Sequence, residues 1–343
     1  MATERARTGR PHPSTVAFRR GLGAREVWGL LVAVLAGVGM AAQSRVNGEL
    51  GRELDDAVLA AVISFGGGLV LLLLALALSR RMRAGLGRVR TALRSGGLRS
   101  WHLLGGFAGA SYVLGQSATV AVIGVALFTV AVVAGQTVSG LVVDRFGLGP
   151  AGVRRVTWPR GVGAALMVVA VAASVGGGLA GAEPARVWAL VLPVLAGVGM
   201  AVQQAFNGRV GAAAGSPLTA ALVNFTAGTF ALLLAWAVSL VAGGGLPDTL
   251  PREPVLYLGG LVGVVFIAAA AVLVSWIGVL LFGLASVAGQ LLGSVVLDVV
   301  VPATAAGVGV TTLLGCGVAL VAVVVASVGG RRAGGRALKE SAP

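Results

Sequence analysis

Two stretches of 44 residues, 100–143 and 254–297, contain no Asp, Glu, Lys or Arg. As one helix, either would run to about 66 Å, twice the ~30 Å hydrocarbon core of a bilayer. Each is therefore expected to form two membrane-crossing helices joined by a tight turn, placed near Gly124 and Gly278. The rest of the composition points the same way. The chain is 57% hydrophobic and 11% charged, with a mean hydropathy of +0.95, whereas a soluble domain carries about a quarter charged residues. The apolar runs lack period-two alternation, which favours helices over a membrane β-barrel.

The chain is also built twice. LAGVGMA at 35–41 returns unchanged at 195–201, and at a shift of 160 Trp28 pairs with Trp188, Gln43 with Gln203, Asn47 with Asn207 and Phe65 with Phe225. Further on the shift becomes 154, so that IGVALF at Ile123 faces IGVLLF at Ile277, Gln136 faces Gln290 and Asp144 faces Asp298. Such self-similarity marks two copies of one structural unit. The expected organisation is a basic tail over 1–26, a first five-helix repeat over 27–180, a second over 187–330, and a basic tail over 331–343. The spans are 27–44, 57–79, the first charge-free pair and 161–182, then 187–206, 217–242, the second pair and 303–328.

Five is odd, so two copies of one fold must sit in the membrane in opposite orientations. With both termini inside, 22 of the 26 basic residues fall in cytoplasmic segments, and only Arg45, Arg52, Arg186 and Arg252 fall outside. That bias sets the orientation. The net charge of +14 is thus read as topology and contact with anionic headgroups of the lipid bilayer, not as a nucleic-acid surface. The first tail is read as a retained segment, since no convincing cleavage site precedes the first span.

Chemistry-bearing clusters are sparse. Cys316 is the single cysteine, and His12 and His102 lack companions at ligand spacing, so neither a disulfide framework nor a metal site is read from the sequence. The glycine runs at 66–68 and 176–178 lack the lysine and hydroxyl of a nucleotide loop. No cofactor and no enzymatic step are expected.

The run LAGVGMAAQSRVNGELG, followed by a second span rich in Phe and Gly, resembles the YdcZ-like branch of the drug/metabolite transporter (DMT) superfamily. AGQTVSGLVVDRFGLGP at 134–150 resembles its second hallmark. The resemblance covers nearly all of 27–330. It implies an all-α integral membrane protein of ten transmembrane helices in two inverted five-helix repeats, of the DMT/EamA-like class, acting as an exporter in the cytoplasmic (inner) membrane of a bacterium. Some relatives are single five-helix units that pair, so monomer and homodimer both stay open. The second half departs from the hallmark, reading DVVVP after Leu297. Proton coupling through a glutamate in the first helix, as in the small multidrug-resistance proteins, does not carry over, because 27–44 and 187–206 contain no acid.

The candidate substrate-binding residues are Gln136, Gln290, Gln43 and Gln203. Gln136 and Gln290 fall mid-span, where an unbonded amide in hydrocarbon costs several kcal/mol, so each is expected to face the bundle interior. Gln43 and Gln203 share a helix face with small residues, which fits a cavity lining and a packing seam equally. Asn47 and Asn207 precede glycines where the spans should end, which suggests helix C-caps, with ligation as the alternative. Asp144 and Asp298 are candidate coupling or gating groups; a helix-end carboxylate paired with an arginine such as Arg145 is the favoured reading for Asp144 and an equal alternative for Asp298. The function expected is secondary transport of a small-molecule substrate, a metabolite or drug, by alternating access. A flippase for lipid-linked substrates and a non-transporting scaffold or sensor subunit are the alternatives.

Overall fold

The computed structural model describes residues 24–150, 152–153, 156–175, 184–247, 249–301 and 309–340. No strand occurs among them. In chain order the helices are α1 (Ala24–Leu54), α2 (Ala57–Leu78), α3 (Arg80–Arg94), α4 (Gly105–Arg145), α5 (Trp158–Val175), α6 (Pro184–Ala214), α7 (Pro217–Val241), α8 (Gly259–Val300) and α9 (Val310–Glu340). Among the described residues, six stretches are long and apolar enough to cross a membrane: Val27–Leu54, Ala57–Leu78, Ser100–Arg145, Ala189–Ala214, Pro217–Val241 and Phe282–Val300. Most of the first basic tail, the end of the second, the glycines at 176–178 and the start of the last expected span lie outside the described residues.

The long helices turn back on themselves. Gly124, inside α4, has φ 81° and ψ 162°, a conformation open to glycine because it has no Cβ. The rings of Tyr112 and Phe128 lie 5.8 Å apart, although sixteen residues of straight helix would separate them by about 24 Å. α4 is therefore an antiparallel pair, α4a (residues 105–123) and α4b (residues 125–145), hinged where chain length requires. Phe266 and Phe282, the repeat counterparts of those rings, also lie 5.8 Å apart, so α8 reverses between them. The turn expected near Gly278 falls inside that interval.

Equivalent joints connect the opening helices of each half. Asp55 and Gly215, counterparts at the 160-residue shift, both take a left-handed backbone, with φ 48° and 57°. The next residue in each case caps the following helix. Asp56 accepts from the N–H groups of Val58 and Leu59 at 2.9 Å, and Ser216 accepts from the N–H of Thr219 at 3.3 Å. Two of the orphan donors at the start of α2, and one at the start of α7, are thereby satisfied.

The halves interlock by exchanging their first helices. α1 lies along α8 and α6 lies along α4, with backbones so close that no side chain fits between them. A Cβ on Gly37 would fall on the Ser286 carbonyl, and one on Gly197 would fall on the Val132 carbonyl. Reciprocally, a Cβ on Gly289 would strike the Val34 carbonyl and one on Gly135 the Val194 carbonyl. Lipid gives helices no hydrophobic drive to associate, so close approach through small residues is what holds such a seam. A second seam joins α5 to α9, where a Cβ on Gly315 would collide with Ser174 and Met167, Ala170, Cys316 and Ala319 form a buried cluster.

One local reading changes. α1 runs on to Leu54 and α6 to Ala214, so Asn47 and Asn207 sit inside helices and are not C-caps. Gly48, taken as a stop signal, is instead a contact point: a Cβ there would lie 2.6 Å from the Val120 Cβ. The arginine-rich segment after α2 is a helix, α3, which buries Met82, Gly85 and Val89. Its Arg88 donates to the Ala214 carbonyl at 2.8 Å and its Arg81 to the Gly215 carbonyl at 3.2 Å, closing the C-terminus of α6.

Candidate functional site

The middle of the bundle is organised around Phe65 on α2 and Phe225 on α7. Their rings stack 4.7 Å apart at an interplanar angle of 27°. Gln43 and Gln203 flank this pair from opposite halves. The space beside Gly263 is shared by the Gln43 amide nitrogen and Phe225, and that beside Gly109 by the Gln203 amide nitrogen and Phe65. Both glutamines are buried. Gln43 donates to the Gly259 carbonyl at 2.9 Å and Gln203 donates to the Asn224 side-chain oxygen at 3.0 Å.

These bonds leave acceptors over. The Gly259 carbonyl can only accept, so Gln43 must present its NH2 there and its Oε1 stays unbonded. Gln203 Oε1, Asn47 Oδ1 and the hydroxyl oxygens of Ser64 and Thr229 are likewise buried without a partner among the described residues. A buried polar atom left unpaired costs about 1–3 kcal/mol. Three of these atoms are amide oxygens, which only accept, and two are hydroxyls, which donate as well as accept, so a solute carrying N–H or O–H groups, or water, would satisfy the three amide oxygens.

Gln116 on α4a is a residue that sequence reasoning passed over. It is fully buried and central to a network: Asn47 Nδ2 donates to its Oε1 at 2.7 Å, its Nε2 donates to Ser44 Oγ at 2.8 Å, and Ser44 donates to the Met40 carbonyl at 3.1 Å. The only sequence signal for it was an amide in a charge-free run. Its repeat counterpart is Ala270, so a search guided by residues shared between halves looks past it.

Gln136 and Gln290 are half-buried and sit on the two interlocking seams, their backbone nitrogens next to Gly197 and Gly37 respectively. Neither side chain is hydrogen-bonded to another described residue, and no hydrogen bond joins the two. Asp144 and Asp298 have diverged. Asp144 pairs with Arg160, not with Arg145, and is part-exposed. Asp298 is buried and accepts from the backbone N–H groups of Val125 at 3.1 Å and Ala126 at 2.7 Å. It caps the first turn of α4b, where free N–H groups and the positive end of the helix dipole favour an anion.

The family described as "Putative inner membrane exporter, YdcZ" matches this chain twice, over residues 28–173 and 188–325. The chain belongs to this family. As a member it is a membrane protein of the exporter type, and the double match coincides with the two interlocked halves. No curated protein and no solved structure matches the chain. No group of His, Cys, Asp and Glu suited to a metal ion occurs among the described residues.

Proposed function

We propose that the protein is a secondary transporter that exports a small metabolite or drug across the cytoplasmic membrane by alternating access. In this reading α1, α2, α4a, α4b and α5 are five spans, and α6, α7, the two arms of α8 and α9 are five more, inverted relative to the first set. Both termini are cytoplasmic, which places the Gly124 turn outside and the turn of α8 inside. The observation that carries the reading is the pair of buried, unpaired amide oxygens of Gln43 and Gln203 beside the stacked Phe65 and Phe225. Amides contributed by both halves meet there, as expected where inverted repeats build a midplane site.

Gln43 and Gln203 would accept hydrogen bonds from the substrate, the aromatic pair would form its apolar floor, and Gln136 and Gln290 would line the approach from the seams. The layer offers no acid, so a neutral solute bearing hydrogen-bond donors fits it better than a strongly charged one.

Thermal stabilisation of the purified protein across amino acids, sugars, amines and lipid precursors, followed by flux in proteoliposomes for any that bind, tests this. At least one class should raise the melting temperature and be transported, and Gln43→Leu should abolish that shift. A stabilising ligand that is not transported would oppose the carrier reading.

A further inference from the structure

The segment that joins α2 to α4 differs in kind from the one that joins α7 to α8. Residues 79–104 carry seven arginines and no acid, whereas residues 242–258 carry one arginine and two acids. The first folds into α3, while the described part of the second holds only the short turn Pro254–Tyr257.

Ser79 sets the start of α3. Its backbone is extended, with φ −103° and ψ 107°, and its hydroxyl accepts from the Met82 N–H at 3.3 Å, which ends the apolar α2 and begins a new helix. From there the residues sort by helix angle. Met82, Gly85 and Val89 are buried against α6 and α7: Thr219 donates to the Met82 carbonyl at 3.3 Å, and Val89 joins Val210, Ala214 and Ala220 in one cluster. On one edge Arg81 and Arg88 hold the Gly215 and Ala214 carbonyls. Arg80, Arg83, Arg90 and Arg94 fall together on the outer side, within about 80° of one another around the helix, and all four are exposed. Arg83 donates to the Leu76 carbonyl at 2.9 Å, whereas Arg80, Arg90 and Arg94 bond no described residue. Gly87 lies midway along this stripe, and a Cβ there would meet nothing, which leaves room between the guanidinium groups.

Both ends of the segment mark a membrane boundary. Leu78, the last residue of the apolar α2, is 87% exposed. Trp101, where the next apolar stretch begins, is half exposed, with the Arg99 guanidinium 4.8 Å from its ring centroid, a pairing suited to the interface. Arginines held in a row at that level meet phosphate headgroups, which guanidinium groups bind through paired, charge-assisted hydrogen bonds.

We propose that α3 is a docking helix for anionic phospholipid, in the cytoplasmic leaflet under the proposed orientation, and that headgroups on its outer stripe tighten the α6–α7 joint clamped by its inner edge. Each arginine near an anionic leaflet strengthens binding by about fivefold. The stripe exists only in the folded chain, so bound lipid stabilises the fold by mass action, and Arg81 and Arg88 pass that restraint to the second half. The inference rests on the membrane assignment and not on the carrier reading, so either can fail alone.

Full-length protein in mixed micelles tests it, with added phosphatidylglycerol, phosphatidylcholine of the same chains, or inorganic phosphate. Melting temperature and lipid retained in native mass spectrometry are the readouts. Phosphatidylglycerol should be retained and raise the melting temperature, and the other two should do neither. The triple variant Arg80→Gln, Arg90→Gln and Arg94→Gln alters side chains that bond nothing in the fold. It should weaken retention at least about tenfold and abolish the shift. Arg145→Gln with Arg252→Gln, which removes exposed charge elsewhere, should preserve both. Arg81→Gln with Arg88→Gln should keep the lipid and lose most of the shift. A triple variant with the full shift, equal responses to the two lipids, a shift from phosphate alone, or equal loss in the Arg145 and Arg252 variant overturns the docking. An undiminished shift in the Arg81 and Arg88 variant overturns the link to the joint.

Discussion

Phe65 and Phe225 stack with ring centroids 4.7 Å apart, and each is the other's counterpart under the 160-residue repeat. Counterparts can meet face to face only next to an axis that exchanges the halves. Their glycine neighbours repeat the relation, since a Cβ on Gly68 would collide with Phe225 and one on Gly228 with Phe65. Phe65→Ala and Phe225→Ala should therefore destabilise equally, by about 3–5 kcal/mol each. The double variant should fall short of additivity by about 0.5–1.5 kcal/mol, the worth of the stack. Thermal or denaturant melts of the four proteins measure this, and unequal single effects would remove the pair from the axis.

Glycine positions should separate sharply by what their missing side chain would strike. Gly37→Ala and Gly197→Ala place a methyl on a carbonyl of the other half and should each cost about 1–3 kcal/mol by overpacking. Gly67→Ala meets open space within α2 and should be neutral or gain up to about 1 kcal/mol from helix propensity. The fraction remaining monodisperse after heating ranks the three.

Much of this architecture could be read in the residues, and the exceptions share a cause. The reversal at Gly124 followed from chain length against bilayer thickness, and the division into two like halves from the returning LAGVGMA run. Asn47 and Asn207 were misjudged because glycine after asparagine is the local signature of a helix end. Here Gly48 serves a close crossing with Val120 that only tertiary structure reveals. Gln116 was overlooked because its partners, Asn47 and Ser44, lie 69 and 72 residues away, beyond any local pattern. The arginines of α3 read from the sequence only as cytoplasmic charge, and the pairing of Arg81 and Arg88 with the end of α6 is likewise nonlocal.

The two repeat-related acids should respond differently to neutralisation. Asp144 and Arg160 are each roughly a quarter to a third exposed, so Asp144→Asn should cost no more than about 1 kcal/mol. Asp298 is 5% exposed and holds two backbone N–H groups, so Asp298→Asn should cost about 1.5–3 kcal/mol. Paired melting curves give both values, and equal losses would remove the distinction drawn between these carboxylates.

Gln136 and Gln290, half-buried on the seams, offer a test of site against scaffold. If they touch substrate, Gln136→Leu and Gln290→Leu each remove a neutral hydrogen bond worth about 0.5–1.5 kcal/mol, a roughly threefold to tenfold loss of affinity. Binding and melting temperature measured on the same samples resolve the roles. Variants of unchanged affinity would confine these side chains to packing.

The central claim is that the two halves sit in the membrane in opposite orientations, and topology tests it most directly. Ser95, in the segment before α4, and Gly244, in the corresponding segment before α8, are both exposed. In intact cells and a Cys316→Ala background, an impermeant thiol reagent added outside should label Gly244→Cys and spare Ser95→Cys until the membrane is opened. Labelling of both positions from the same side would contradict inversion.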